Sequence, residues 1–206
     1  NADDDRKNLV NTLVWSLESL KGQKDVGIII KASVGKSTSA DRNTTKKVIS
    51  QIVDNFREGE YPKVHLIHGS MSNKEIAALF VDKTIKGYIT ATRGEGYGLP
   101  LVDAAAAGVP VIATNWSGHL DFLENKFLKV DYKMKKIKES RIDNRIFVEN
   151  ASWAEPEKES FQENLEKLCD NREYWLKKAL ELKKKVRKKF SEERIKSLYD
   201  KVLIEI

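Results

Sequence analysis

At 206 residues, with 40% hydrophobic and 33% charged side chains, the chain is long enough to bury one sizeable core and too apolar to be disordered. Its single cysteine, Cys169, excludes an internal disulfide and a cysteine-based zinc cluster, and no apolar run approaches the roughly 18 residues of a membrane-spanning helix. The net charge of +6 fits anionic partners such as nucleotides, acidic glycans or a lipid surface, although an excess of lysine over arginine is also a plain solubility feature.

The acidic start Asn1-Ala2-Asp3-Asp4-Asp5 has no apolar core, so it does not read as a signal peptide. It lacks an initiator Met, which suggests a segment of a longer chain. Val10, Leu13, Val14, Leu17 and Leu20 follow helical spacing, and Gly22 can end that helix. Val26–Ile30 reads as a short buried strand of the parallel-sheet kind, followed by a polar loop from Lys31 to Thr45. A second helix carries Val48, Ile49, Ile52, Val53 and Phe56 on one face. Pro62 precedes a strand at 64–67, Ser72 and Glu75 form a capping box for a third helix, and Gly87–Thr90 is a further strand. Such alternation predicts a doubly wound parallel sheet, whose ligands bind outside the carboxyl ends of the strands. Gly35-Lys36-Ser37 imitates the end of a phosphate-binding P-loop, but the required earlier glycine falls at Ile30 and the polar loop offers no immediate helix, so that motif is rejected.

The strand at 87–90 delivers the chain to its most informative stretch, Thr92-Arg93-Gly94-Glu95-Gly96-Tyr97-Gly98-Leu99-Pro100-Leu101-Val102-Asp103. Three glycines let the backbone bend and approach a ligand closely. Pro100 suits the first turn of a helix and Gly108 its stop, before a strand at 109–113. Glu95 and Asp103, with seven residues between them, can face one crevice at the N-terminus of that helix, where free amides favour an anion. Two carboxylates around an anion site suit a ligand with phosphates in the middle and hydroxyls at both ends, such as a nucleotide sugar. Each acid also has an ordinary reading, Glu95 as a helix cap and Asp103 as a solvated helix acid.

After Asn125, Phe127–Tyr132 reads as a strand and 133–145 as a basic polar loop. Phe161, Leu165 and Leu168 mark one helix, Trp175, Ala179, Leu182 and Val186 a second, and Ile195, Leu198, Tyr199 and Val202 a third with Ser191 as N-cap. Lys183-Lys184-Lys185 and Lys188-Lys189 read as the wet face of the second helix. Peripheral membrane contact stays open there, whereas a nucleic-acid partner is disfavoured because no aromatics interleave with the charges. No His/Asp/Glu cluster has metal-ligand spacing, so no metal or other cofactor is expected. A buried or half-buried thiol in a reducing cytoplasm is the expectation for Cys169.

The stretch from Glu95 onward resembles the donor-binding motif of retaining glycosyltransferases of the GT-B fold, the glycogen-synthase-like and mannosyltransferase-like "glycosyl transferases group 1" family. The usual form is Glu, seven residues, Glu, with Gly-Phe-Gly-Leu-Pro inside, then a small-residue helix and Gly-x-Pro-Val-Ile-Ala. Here Tyr97 replaces the common Phe and Asp103 the second Glu, and the likeness continues through Thr114-Asn115-Trp116-Ser117-Gly118-His119-Leu120-Asp121.

The resemblance implies an α/β, Rossmann-like doubly wound sheet, one half of a GT-B fold, over 1–150, with a C-terminal helical extension over 151–206 packing on it. It implies a metal-independent transfer of sugar from a UDP- or GDP-sugar to a hydroxyl acceptor. Glu95 would accept hydrogen bonds from donor-sugar hydroxyls and Asp103 from the ribose. Gly96, Tyr97, Gly98 and Leu99 would offer backbone amides to sugar and phosphate, and Gly69, Ser70 and Met71 would border the nucleobase. Arg6-Lys7-Asn8 matches the family's first helix start, which makes Lys7 a diphosphate ligand, or else a surface lysine, with Arg6 in reserve. Arg93 could reach phosphate or water, and His119 reads as structural. The family's first strand has no counterpart here, and its acceptor-binding N-terminal domain would lie outside these residues, leaving this segment alone inactive. A nucleotide-sugar epimerase or a non-catalytic binding subunit of the same fold are the alternatives.

Overall fold

The computed structural model describes residues 5–32, 35–56 and 59–204, so the acidic start at 1–4 lies outside the described residues. In chain order the elements are α1 (Leu9–Ser19), β1 (Gly27–Ala32), α2 (Ser39–Asp54), β2 (Lys63–His68), α3 (Asn73–Val81), β3 (Tyr88–Thr90), α4 (Leu99–Ala107), β4 (Val111–Thr114), α5 (Leu120–Leu123), β5 (Leu128–Val130), β6 (Tyr132–Lys136), β7 (Ser152–Pro156), α6 (Lys158–Asp170), α7 (Arg172–Lys189) and α8 (Glu192–Ile204). The α/β alternation and the parallel pairing make this a Rossmann-like unit.

The parallel strands form two ladders, β1 with β2 and β3-β4-β5, rather than one continuous ladder among the described residues. Both feed one core: Ile28 and Ile30 of β1, Ile112 of β4, and Leu128 and Val130 of β5 meet Leu13, Trp15 and Leu17 of α1 and Phe161 and Leu165 of α6. The open edge of β3 is met by α1 instead of a strand. Thr12 Oγ1 accepts the Ala91 amide at 3.1 Å and Asn8 Nδ2 donates to the Ala91 carbonyl at 2.9 Å, so buried backbone groups stay paired. A second core joins α4 and β4 to Leu182 and Val186 of α7, and this fixes α4 from behind.

Four expectations need correction. β1 is not buried on both faces, because Ile28 and Ile30 face the core while Ile29 is 41% exposed. The helix after it starts at Ser39 and not near Val48: Thr38 and Asp41 make a capping box, and the Asp41 carboxylate takes the amides of Lys36 and Thr38. The P-loop-like segment therefore does lead straight into a helix, but its anion position is filled by the chain's own acid. Residues 132–136, read as strand end and loop, pair antiparallel with 152–156. Cys169 is exposed. The capping box at Ser72 and the cap at Ser191, whose hydroxyl accepts the Arg194 amide at 3.3 Å, follow expectation.

Candidate functional site

The site grows from the carboxyl end of β3. Gly98 has φ +83° and forms the N-cap of α4, a left-handed position where a side chain would also run into Leu101. The amides of Leu101 and Val102 return to the Gly98 carbonyl, and Pro100 has no amide to offer. The Leu99 amide at the first helical position thus faces out of the turn, at the positive end of the helix dipole. Gly94 and Gly96 have nothing within 4 Å of a would-be Cβ, so their sides of the loop stand open.

The loop does not hang freely. The Glu95 amide donates to Ser117 Oγ at 2.8 Å, and the Glu95 carbonyl accepts the Gly118 amide at 3.2 Å. Gly118 comes so close that a Cβ there would lie 1.9 Å from the Gly96 carbonyl oxygen. Ser117 is held at φ +85° to make this approach, an unusual conformation for a residue with a side chain.

The Glu95 carboxylate is the electrostatic centre. Lys7 Nζ donates to its two oxygens at 2.7 and 2.8 Å, Arg6 Nη1 lies 3.4 Å away and also donates to the Gly94 carbonyl, and Thr92 Oγ1 donates at 3.0 Å. Desolvation by itself would raise the Glu95 pKa, since the side chain is only 9% exposed. The hydrogen bond and charge of Lys7, the charge of Arg6 and the Thr92 hydroxyl outweigh it and hold the pKa below the ordinary value. Asp103, one turn into α4, keeps an exposed tip, yet partial desolvation pushes its pKa up. Tyr88 lies within the field of both acids. Its phenol is pushed up to about 12, first by burial and then by the negative charges of Glu95 and Asp103.

Arg6 and Lys7 meet at Glu95, in the loop that leads through residues 96–98 into α4. Gly69, Ser70 and Met71 lie at the carboxyl end of β2, where the Gly69 amide donates to Ala32 and Lys31 Nζ donates to the Gly69 carbonyl at 2.6 Å. Arg93 does not follow expectation. It is fully buried and turned away from the crevice, with Nε and Nη2 on the Glu155 carboxylate at 2.9 and 2.6 Å, Nη1 on the Asp5 carbonyl, and its plane 5.1 Å from the Trp153 ring. A side chain so engaged braces the loop from beneath and does not reach a phosphate. His119 is also buried, with Nε2 2.7 Å from the Thr114 carbonyl, and burial holds its pKa down, which makes it a neutral structural residue. Thr92, Ser117 and Tyr88 act on Glu95 and escaped the sequence reading: no local pattern marks the Ser117 hydroxyl, which acts across 22 residues, and nothing in the chain's order tells a hydroxyl turned toward Glu95 from one turned away. Among the described residues no group of three or more His, Cys, Asp or Glu side chains could hold a metal ion.

A family model described as "GT4-conflict: Family 4 Glycosyltransferase in conflict systems" matches residues 45–196. No curated protein matches the chain. Among solved structures, the sucrose-phosphate synthase of Thermosynechococcus elongatus aligns at TM-score 0.64 and 13% identity over 98% of this chain and 44% of that one. The C-terminal domain of a glycosyl transferase group 1 family protein (LpcC) from Francisella tularensis aligns at 0.58 and 16% over 90% and 80%. The pneumococcal O-GlcNAc transferase GtfA, solved with UDP and GlcNAc, aligns at 0.52 and 16% over 94% and 34%. This chain thus spans less than half the length of the synthase and about a third of GtfA. At such identities the likeness establishes the fold, the Rossmann-like half of a GT-B glycosyltransferase.

Proposed function

We propose a function that starts from family membership: the chain belongs to the family 4 glycosyltransferases in conflict systems. It is the donor-binding half of an enzyme that moves a sugar from a nucleoside diphosphate sugar to a hydroxyl acceptor with retention at the anomeric carbon, without a metal. One observation carries this reading. Lys7 and Arg6 meet Glu95 in the loop that leads into the N-terminus of α4, which supports a site where cations, anion-favouring amides and a hydroxyl-binding carboxylate hold one ligand.

The chemistry follows from where charge develops. As the bond between the anomeric carbon and the phosphate oxygen breaks, negative charge grows on the departing diphosphate and the sugar gains oxocarbenium character. Fixed amides at 96–99 together with Lys7 and Arg6 stabilise the first, and fixed donors gain strength in a site that excludes water. Glu95 accepts sugar hydroxyls on the opposite side, and Asp103 takes the ribose diol. That the structure of GtfA, a neighbour in fold, is of a complex with UDP and GlcNAc supports the reading of a nucleotide ligand. Acceptor recognition belongs to a further domain, in keeping with the partial coverage of the longer neighbours, so residues 1–206 alone bind donor without transferring it.

The test is product analysis of the full-length protein given UDP- and GDP-sugars and hydroxyl acceptors. Released nucleoside diphosphate with a glycosylated acceptor of unchanged anomeric configuration supports the reading. An intact nucleotide sugar with an altered ring stereocentre points to an epimerase instead.

A further inference from the structure

The glycine-rich loop carries one aromatic side chain, Tyr97, at the position where the resembling family commonly has Phe. Here the added hydroxyl has a partner. Tyr97 Oη donates to Asp121 Oδ2 at 2.8 Å, and Lys189 Nζ donates to the same oxygen at 2.7 Å and to the Asp121 carbonyl at 2.9 Å. The ring packs 5.3 Å from Phe122, which is buried, and 6.0 Å edge-on to Phe190 at the end of α7. Asp121 and Phe122 belong to α5, directly after the Ser117-Gly118 pair that clamps the Glu95 backbone. The loop is therefore held at two points by one short segment, and Lys189 ties that segment to α7.

A loop with glycine at 94, 96 and 98 loses much backbone entropy when it is ordered, and a binding site gains when that ordering precedes the ligand. An exposed ion pair alone stabilises little, but a phenol donating to an ionised carboxylate makes a charge-assisted hydrogen bond, and the flanking aromatic rings fix its direction. The acid and the phenol feel each other: Asp121 is held below the ordinary carboxylate range, by Lys189 first and Tyr97 second, while the Tyr97 phenol is pushed up to about 12 by desolvation and by Asp121.

We propose that Tyr97 is a positioning residue, whose hydroxyl acts through Asp121 and Lys189 to fix the backbone of residues 96–99. Its bearing on donor affinity rests on the donor-site reading above, whereas its bearing on loop order does not.

The experiment is amide hydrogen exchange on the 206-residue chain, for the parent, Tyr97→Phe, Lys189→Met and the double variant, with UDP and GDP affinities measured alongside. Tyr97→Phe keeps the ring and removes only the hydroxyl. Exchange at the Glu95 amide, which donates to Ser117 Oγ, and at the Leu101 and Val102 amides, which bond the Gly98 carbonyl, is expected to rise about fivefold, the size of one lost hydrogen bond, while the amides of β4 keep parental protection. Lys189→Met gives a similar local rise, the double variant exceeds neither single by much, and nucleotide affinity falls by a similar factor. Parental exchange at the Glu95, Leu101 and Val102 amides in Tyr97→Phe overturns the proposal, as does a multiplicative effect of the two substitutions or a loss of protection spread through β4. If the parent binds neither nucleotide, the donor-site reading fails on its own, and the exchange data still decide whether Tyr97 orders the loop.

Discussion

Lys7 Nζ lies 2.7 and 2.8 Å from the two carboxylate oxygens of Glu95, joining side chains 88 residues apart. The contact brings the start of α1 onto the glycine-rich loop and gives the crevice both signs of charge. Because Glu95 is nearly buried while Lys7 is half exposed, the acid depends on the pair more than the base does.

Glu95 and Asp103 should respond oppositely to pH. Glu95 has a folded pKa below its unfolded value, so its stabilising contribution is complete above the unfolded pKa and disappears as pH falls through the folded one. Asp103 has a folded pKa above its unfolded value, so its penalty is complete above the folded pKa and gone below the unfolded one. Thermal unfolding should therefore show Glu95→Gln less stable than the parent at pH 7, by about 1 kcal/mol once the exposure of Lys7 is allowed for, with the gap closing toward pH 3. Asp103→Asn should be no less stable than the parent at pH 7 and should also converge with it in acid.

The loop glycines should separate by role. Gly118→Ala forces a methyl into the Gly96 carbonyl and should cost about 3 kcal/mol, since both sides of the clash are backbone. Gly96→Ala meets no neighbour and should change stability by less than about 0.5 kcal/mol, while lowering nucleotide affinity by roughly tenfold where the new methyl obstructs ligand approach. Urea denaturation beside calorimetric titration with UDP and GDP checks both.

Arg93 should act as a structural strut. Arg93→Ala removes a buried guanidinium and leaves Glu155 without its main partner, an expected loss of about 3 kcal/mol in urea unfolding. Arg93→Lys should recover little of it, because an ammonium cannot reproduce the two-point contact with the carboxylate. Recovery of full stability by lysine would show that the buried charge matters and its geometry does not.

Much of the fold was legible because its signals are local. Apolar strands alternate with helical stripes, Gly98 and Gly108 occupy the left-handed positions that bracket α4, and Ser72 with Glu75 caps α3 as its spacing implies. The pairing of β6 with β7 was hidden because a lysine-rich strand with four exposed residues looks like loop until its distant partner is known. The orientation of Arg93 was equally hidden, since the residue before a glycine-rich loop can face either the crevice or the core, and Glu155, 62 residues away, decides it. The contact of Lys7 with Glu95 was not legible, because no spacing rule relates a helix start to a loop 88 residues later and the family resemblance gives the two residues separate roles.

Calorimetric titration of UDP, GDP and the corresponding nucleotide sugars into the parent, Lys7→Met, Glu95→Ala and Asp103→Ala tests the central claim most directly. The account predicts that at least one nucleotide binds the parent, that Lys7→Met and Asp103→Ala each weaken it by roughly tenfold, and that Glu95→Ala matters more for the intact nucleotide sugar than for the bare diphosphate. Equal binding by all four proteins, or by none, would contradict it.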